Sequence, residues 1–261
     1  MALCAGFESG QWRSTPFVDE VFGWLPSFVL PWSEQQHHLG SETAIELLRS
    51  AARRVYDSDK YKSRGEFGEL ILHGVLLQEY KTQAAVSKMW FKDAANDTVK
   101  GFDVVHITSE EGELHLWLGE AKFYGDQSGA VREAITSMTA HLEADYLRSE
   151  FAFVSSKIDP GAPYASQLAE LLHENTSLDK VFAVLHLPIL ITYDSRAAAT
   201  NSKSDSTYFD QVKSEILPAW NALKTKLPST SAVVHVILVP LPDKASLATQ
   251  LHERLEHWQH L

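Results

Sequence analysis

Glu120 and Lys122 close a segment, ELHLWLGEAKF, that otherwise has the composition of a buried strand. Strand side chains alternate between faces, so both share the face of Leu114, Leu116 and Leu118. A carboxylate and an ammonium on a face that leucines bury are costly unless paired or coordinated. Such a local contradiction marks a candidate functional site. Asp103 lies upstream in GFDVVHIT (101–108), a second strand joined to the first through SEEG in a hairpin. A turn with an even number of residues sets Asp103 opposite Leu118 or Glu120, on the face of Glu120 and Lys122. An odd number puts it on the other face. Cross-strand neighbours lie about 4.5–5.5 Å apart, where two carboxylates repel unless a cation sits between them. Mg²⁺ takes oxygen ligands, keeps several waters and suits such a pair; Mn²⁺ is the alternative.

Two carboxylates, a divalent metal and a lysine make a set for phosphodiester hydrolysis. The metal polarises a phosphoryl oxygen and lowers the pKa of a bound water. Lys122 orients that water and offsets charge that develops in the transition state. Glu66 and Glu69, three apart in GEFGELILHGVLLQEY (65–80), are neighbours on one helix turn and within reach of the metal. Glu69 is the first choice because the apolar run that packs on the sheet follows it. Glu66 is the alternative.

These residues need a sheet and helices to hold them. Segments 84–91, 101–108 and 113–123 read as strands, 129–149 as a helix, and FAFVSS (151–156) as a further strand. A helix from GAPY to about residue 175, an apolar strand over 181–192 and a polar loop over 195–207 follow. A helix near 208–226, a strand over 232–241 and a closing helix complete the chain. Residues 1–50 read as irregular, rich in aromatics and proline, apart from a helix near SETAIELLRSAARRV. Interleaved strands and helices with one hairpin predict an α/β protein with a mixed sheet.

Composition narrows the function. With 44% hydrophobic and 22% charged residues the chain is an ordinary globular one. One cysteine, Cys4, excludes an intrachain disulfide. The start has no signal-peptide pattern and the 181–192 run is too short to span a bilayer, so a cytoplasmic location is expected. A net charge of −11 argues against coating nucleic acid by bulk electrostatics. One stretch, RRVYDSDKYKSR (53–64), carries Arg53, Arg54, Lys60, Lys62 and Arg64 against two aspartates. It reads either as a solvated loop or as a phosphate-contacting patch. Gln127 and Arg132 are further candidates for phosphate contact. His252, His257 and His260 have no cysteine or carboxylate at zinc-ligand spacing. No Walker A, G-x-G-x-x-G or G-x-S-x-G motif occurs, so any ATP must be used by a partner.

The order Glu69…Asp103…Glu120-Ala-Lys122 is similar to that of the PD-(D/E)xK nuclease superfamily over about residues 64–155, although Phe102 stands where a proline usually precedes the aspartate. RGEFGE, GFDVV and GEAKFY resemble more narrowly the HamA family, the nuclease subunit of the Hachiman anti-phage defence system. The resemblance implies a restriction-endonuclease-like central mixed sheet flanked by helices. It implies an N-terminal extension over 1–63 and a nuclease domain over 64–261. It also implies Mg²⁺-dependent DNA cleavage, with Glu69, Asp103 and Glu120 on the metal and Lys122 on the water, beside a HamB-like helicase subunit. Two rival readings use the same residues: a degenerate nuclease fold that only binds a helicase, and a nuclease directed at RNA.

Overall fold

In the computed structural model, residues 1–36, 43–55, 65–86 and 101–261 are described. The chain opens with β1 (Phe7–Glu8) and β2 (Gln11–Trp12), then α1 (Ser14–Gly23), α2 (Leu25–Val29), α3 (Trp32–Gln36), α4 (Ala44–Arg54) and α5 (Glu66–Glu79). Next come β3 (Gln83–Val86), β4 (Val104–Glu110), β5 (Glu113–Phe123), α6 (Gln127–His141), α7 (Ala144–Ser155), α8 (Ala165–Leu171) and α9 (Leu178–Ala183). It ends with β6 (Leu185–Asp194), α10 (Arg196–Thr200), α11 (Ser206–Lys226), β7 (Val233–Leu241) and α12 (Lys244–His260). Strands β3 to β7 form one sheet in chain order. β3, β4 and β5 are antiparallel, whereas β6 and β7 join β5 in parallel. The expected mixed α/β architecture is therefore present.

Strand alternation divides the core between two faces. Val104, Trp117, Phe123, Leu190, Ile237 and Val239 pack on one face with helices that include α1, α2, α4, α5 and α12. Val105, Ile107, Leu116, Leu118, Ile189 and Ile191 pack on the other, with α6, α7 and α11. Both crossovers of the parallel strands thus contribute helices to this second face.

Two local features place the candidate residues. The β4–β5 turn is only Glu111-Gly112, with φ of 52° and 89°. Positive φ at both positions is the twist a two-residue hairpin requires, and glycine meets it without a Cβ clash. Helix α5 starts against the end of β5: a Cβ on Gly68 would lie 2.8 Å from that of Phe123. Only glycine allows this approach, which carries the first turn of α5, with Glu66 and Glu69, to the end of the hairpin strand.

Some expectations fail. FAFVSS is the end of α7, not a strand. Leu147, Phe151 and Val154 are its buried positions, a helical spacing that outweighs the strand-like composition of a short apolar run. The single helix over 129–149 is interrupted near Leu142 and becomes α6 and α7. The first part of the 181–192 strand is α9, the GAPY helix is confined to α8, and the loop after β6 contains α10. Helices α1 and α2 occupy much of the N-terminal stretch read as irregular. Of the 84–91 strand, residues 84–86 lie in β3 and the rest lie outside the described residues.

Candidate active site

The even turn fixes the register. Val104 pairs with Gly119, which puts Asp103 across from Glu120. Asp103 is anchored through backbone: its N–H donates to the Gly119 carbonyl at 2.8 Å, and its Oδ2 accepts from the Ala121 N–H at 2.7 Å. Glu120 is only 3% exposed. Its Oε1 accepts from Lys122 Nζ at 2.6 Å, and the same ammonium donates to Ser137 Oγ on α6 at 3.0 Å. His141, one turn further along α6, brings Nδ1 to 3.3 Å from Glu120 Oε2. The two atoms form a close pair whose geometry falls short of a well-directed hydrogen bond. The His141 ring stacks on Tyr146 at 4.6 Å and 16°, and meets the edge of Phe102 at 4.9 Å.

The charges act on one another. Burial, then Glu69, then Glu120 push the Asp103 carboxyl well above its ordinary value, against the opposing Ala121 N–H and Lys122. Burial also pushes Glu120 up, but His141 and Lys122 outweigh it and hold the carboxyl below the ordinary range. Burial pushes Lys122 down, and Glu120 followed by Asp103 reverses this, so the ammonium stays charged. Glu69, half-buried in the first turn of α5, belongs electrically to the cluster. Glu66 instead borders a small apolar cavity with Phe22, Leu25, Val55 and Leu255. The structure thus gathers Asp103, Glu120 and Lys122, with Glu69 beside them.

Among the described residues, no three His, Cys, Asp or Glu side chains converge as a ready-made metal cage. Mg²⁺ does not need one, since one or two carboxylates with water suffice. The donor set fits a hard cation. Asp103 is destabilised by two neighbouring carboxylates, and positive charge would relieve that repulsion.

The basic candidates are less concentrated. Arg53 and Arg54 end α4; Arg53 is exposed and Arg54 Nη2 donates to Glu34 Oε2 at 2.7 Å. Lys60, Lys62 and Arg64 lie outside the described residues. Gln127 is the first residue of α6, and its Nε2 is buried with no hydrogen-bond partner. The Arg132 side chain is 71% exposed and lies 4.0 Å from Asp126. Sequence reasoning overlooked Ser137 and His141. Their i,i+4 spacing puts them on one helix face, a signal that was there to be read. Among the described residues no helix is long and apolar enough to cross a membrane.

Fold and site together define an α/β protein with a carboxylate–lysine centre built on a hairpin at the heart of a mixed sheet. The HamA family model matches residues 1–255, and the chain belongs to the HamA family, a component of Hachiman defence. Its role is therefore in anti-phage defence. Among curated proteins none matches the chain.

Proposed function

We propose that this chain is a metal-dependent DNA nuclease, the effector of a helicase–nuclease defence complex. The observation that carries this reading is the juxtaposition of Asp103, Glu120 and Lys122, with two carboxylates and an ammonium on a largely buried sheet face. Asp103 and Glu120 would hold a divalent cation, Mg²⁺ or Mn²⁺, with Glu69 in support. Such a cation polarises the scissile phosphate and makes bound water acidic. The protein's own groups do the rest. Ala121 N–H fixes the Asp103 carboxylate, and Ser137 fixes the Lys122 ammonium. Lys122, charged and only 15% exposed on its side chain, offsets charge that accumulates on phosphate as the bond breaks. The sequence carries no nucleotide-binding motif, so any ATP-driven handling of DNA would fall to a helicase partner.

The test is degradation of plasmid and linear DNA with Mg²⁺ or EDTA, with and without helicase and ATP, alongside an RNA substrate. Wild type is expected to cleave DNA only with metal, and Glu120→Ala and Lys122→Ala to be inactive. If wild type and both variants are equally inert yet bind the helicase, the chain is a regulatory module. Preferential cleavage of RNA would reassign the substrate.

A further inference from the structure

The two oxygens of Glu120 are treated differently by the protein. Oε1 accepts from Lys122, whereas Oε2 is buried and faces the equally buried His141 Nδ1 at 3.3 Å, close but without the geometry of a directed hydrogen bond. A poorly directed contact between two buried polar atoms returns less than a well-formed hydrogen bond would. The imidazole is not free to turn away. It is sandwiched between Tyr146 and Phe102, and its side chain is 13% exposed. Packing has therefore fixed a nitrogen donor beside an open carboxylate oxygen, as a preorganised metal ligand requires.

The spacing suits a bridging cation. At about 2.1 Å from each atom, a cation would see the pair at an angle of about 100°, near that of adjacent octahedral positions. We propose that His141 Nδ1 and Glu120 Oε2 are joint ligands of one divalent cation, and that the imidazole biases the site toward Mn²⁺ over Mg²⁺. The proposal rests on the reading of Glu120 as a metal-binding residue and adds a ligand and a metal preference to it. Carboxylate and water suit Mg²⁺ and Mn²⁺ alike, whereas an imidazole nitrogen favours the transition metal. Asp103, waters and phosphate oxygens would complete the shell.

Electron paramagnetic resonance of Mn²⁺ bound to the full chain tests this without measuring cleavage. Wild type is expected to bind Mn²⁺ and to show hyperfine coupling to a directly bound ¹⁴N. That coupling should vanish in both His141→Gln and Glu120→Gln. His141→Gln should also weaken Mn²⁺ binding by about 10-fold or more, with a smaller effect on Mg²⁺. Mn²⁺ that binds wild type with no ¹⁴N coupling overturns the assignment of His141 while leaving Glu120 as a metal ligand. A coupling that survives His141→Gln comes from another nitrogen and overturns it as well. No binding of Mn²⁺ or Mg²⁺ to wild type at millimolar concentration would remove the metal site altogether. A wild-type spectrum without ¹⁴N coupling overturns the proposal even if one variant fails to fold.

Discussion

Two polar clusters lie on opposite faces of the sheet, and they are built on opposite principles. On the α5 face, Ser27, His73, His106 and Thr82 form one continuous chain. Ser27 Oγ donates to the Trp24 carbonyl at 2.9 Å, which leaves it to accept from His73 Nε2 at 2.8 Å. His73 Nδ1 then accepts from His106 Nε2 at 2.9 Å, and His106 Nδ1 accepts from the Thr82 hydroxyl at 2.7 Å. One set of neutral tautomers satisfies every ring nitrogen, and no position remains for an extra proton. Burial holds His73 well below its ordinary pKa and takes His106 down to about 3. On the α6 face, the ionisable groups of Asp103, Glu120 and Lys122 crowd together, and Glu120 Oε2 and His141 Nδ1 face each other without a well-directed hydrogen bond. A closed network of neutral groups is suited to holding helix, strand and loop together. A charged network with a deficit is suited to receiving something from outside.

The sharpest test of this contrast is a pair of substitutions. Glu120→Gln is expected to cut metal-dependent DNA cleavage by about 100-fold or more, with little change in the urea midpoint. His73→Ala, which removes a buried ring and orphans His106, is expected to cost about 3 kcal/mol of folding stability. DNA cleavage by the fraction that remains folded should be unchanged. A well-folded His73→Ala protein without cleavage activity would dissolve the distinction.

Asp103→Asn should sharpen it further. Burial and like charge disfavour the Asp103 carboxylate, while an asparagine can still accept from Ala121 N–H. Stability at pH 7 is expected to rise by roughly 1 kcal/mol as cleavage is lost, measured by thermal melting alongside nuclease assay.

Acid should separate the clusters by sign. The unfolded chain takes up protons near the ordinary imidazole value of about 6.5, and folded His73 and His106 refuse them. Stability contributed by these histidines is therefore lost as pH falls below that value, toward the His106 value of about 3. Asp103, raised in the fold, binds its proton before the unfolded chain does, and so offsets part of the loss. The decline in melting temperature from pH 6.5 to 4 is expected to flatten in His73→Gln and to steepen in Asp103→Asn. Identical slopes in all three proteins would contradict this division. The smallest effect belongs to Arg132→Ala. Its exposed side chain should change stability by under about 0.5 kcal/mol. If it touches phosphate, the salt dependence of DNA binding should lose a slope of about one.

The centre of the site was legible because it contradicts its own strand. Glu120 and Lys122 interrupt a leucine face, and the short SEEG connection allowed the even register that brings Asp103 opposite Glu120. The sheet was legible for the same reason, since β4, β5, β6 and β7 alternate or run apolar over their lengths. The choice between Glu66 and Glu69 was not legible. Both lie on one turn, and only the folded chain, with α5 close against β5 at Gly68, shows Glu69 acting on Asp103. FAFVSS misled because three buried positions at helical spacing also read as a short apolar strand. The histidine chain was out of reach for a different reason. Its members come from α2, α5, β4 and the residue before β3, and no local pattern announces that they converge.

The two-residue turn at Glu111-Gly112 makes the hairpin a parity device. Insertions elsewhere on the surface add length and nothing more, but here an added residue has to be absorbed as a bulge or shared out along both strands. Two added residues would slide Asp103 along the strand and keep its face. One, if it propagated, would move the carboxylate to the histidine side of the sheet and leave Glu120 and Lys122 without their cross-strand carboxylate. The tip is solvent-exposed and chemically undemanding, yet its length is held in phase with a carboxylate pair several residues away.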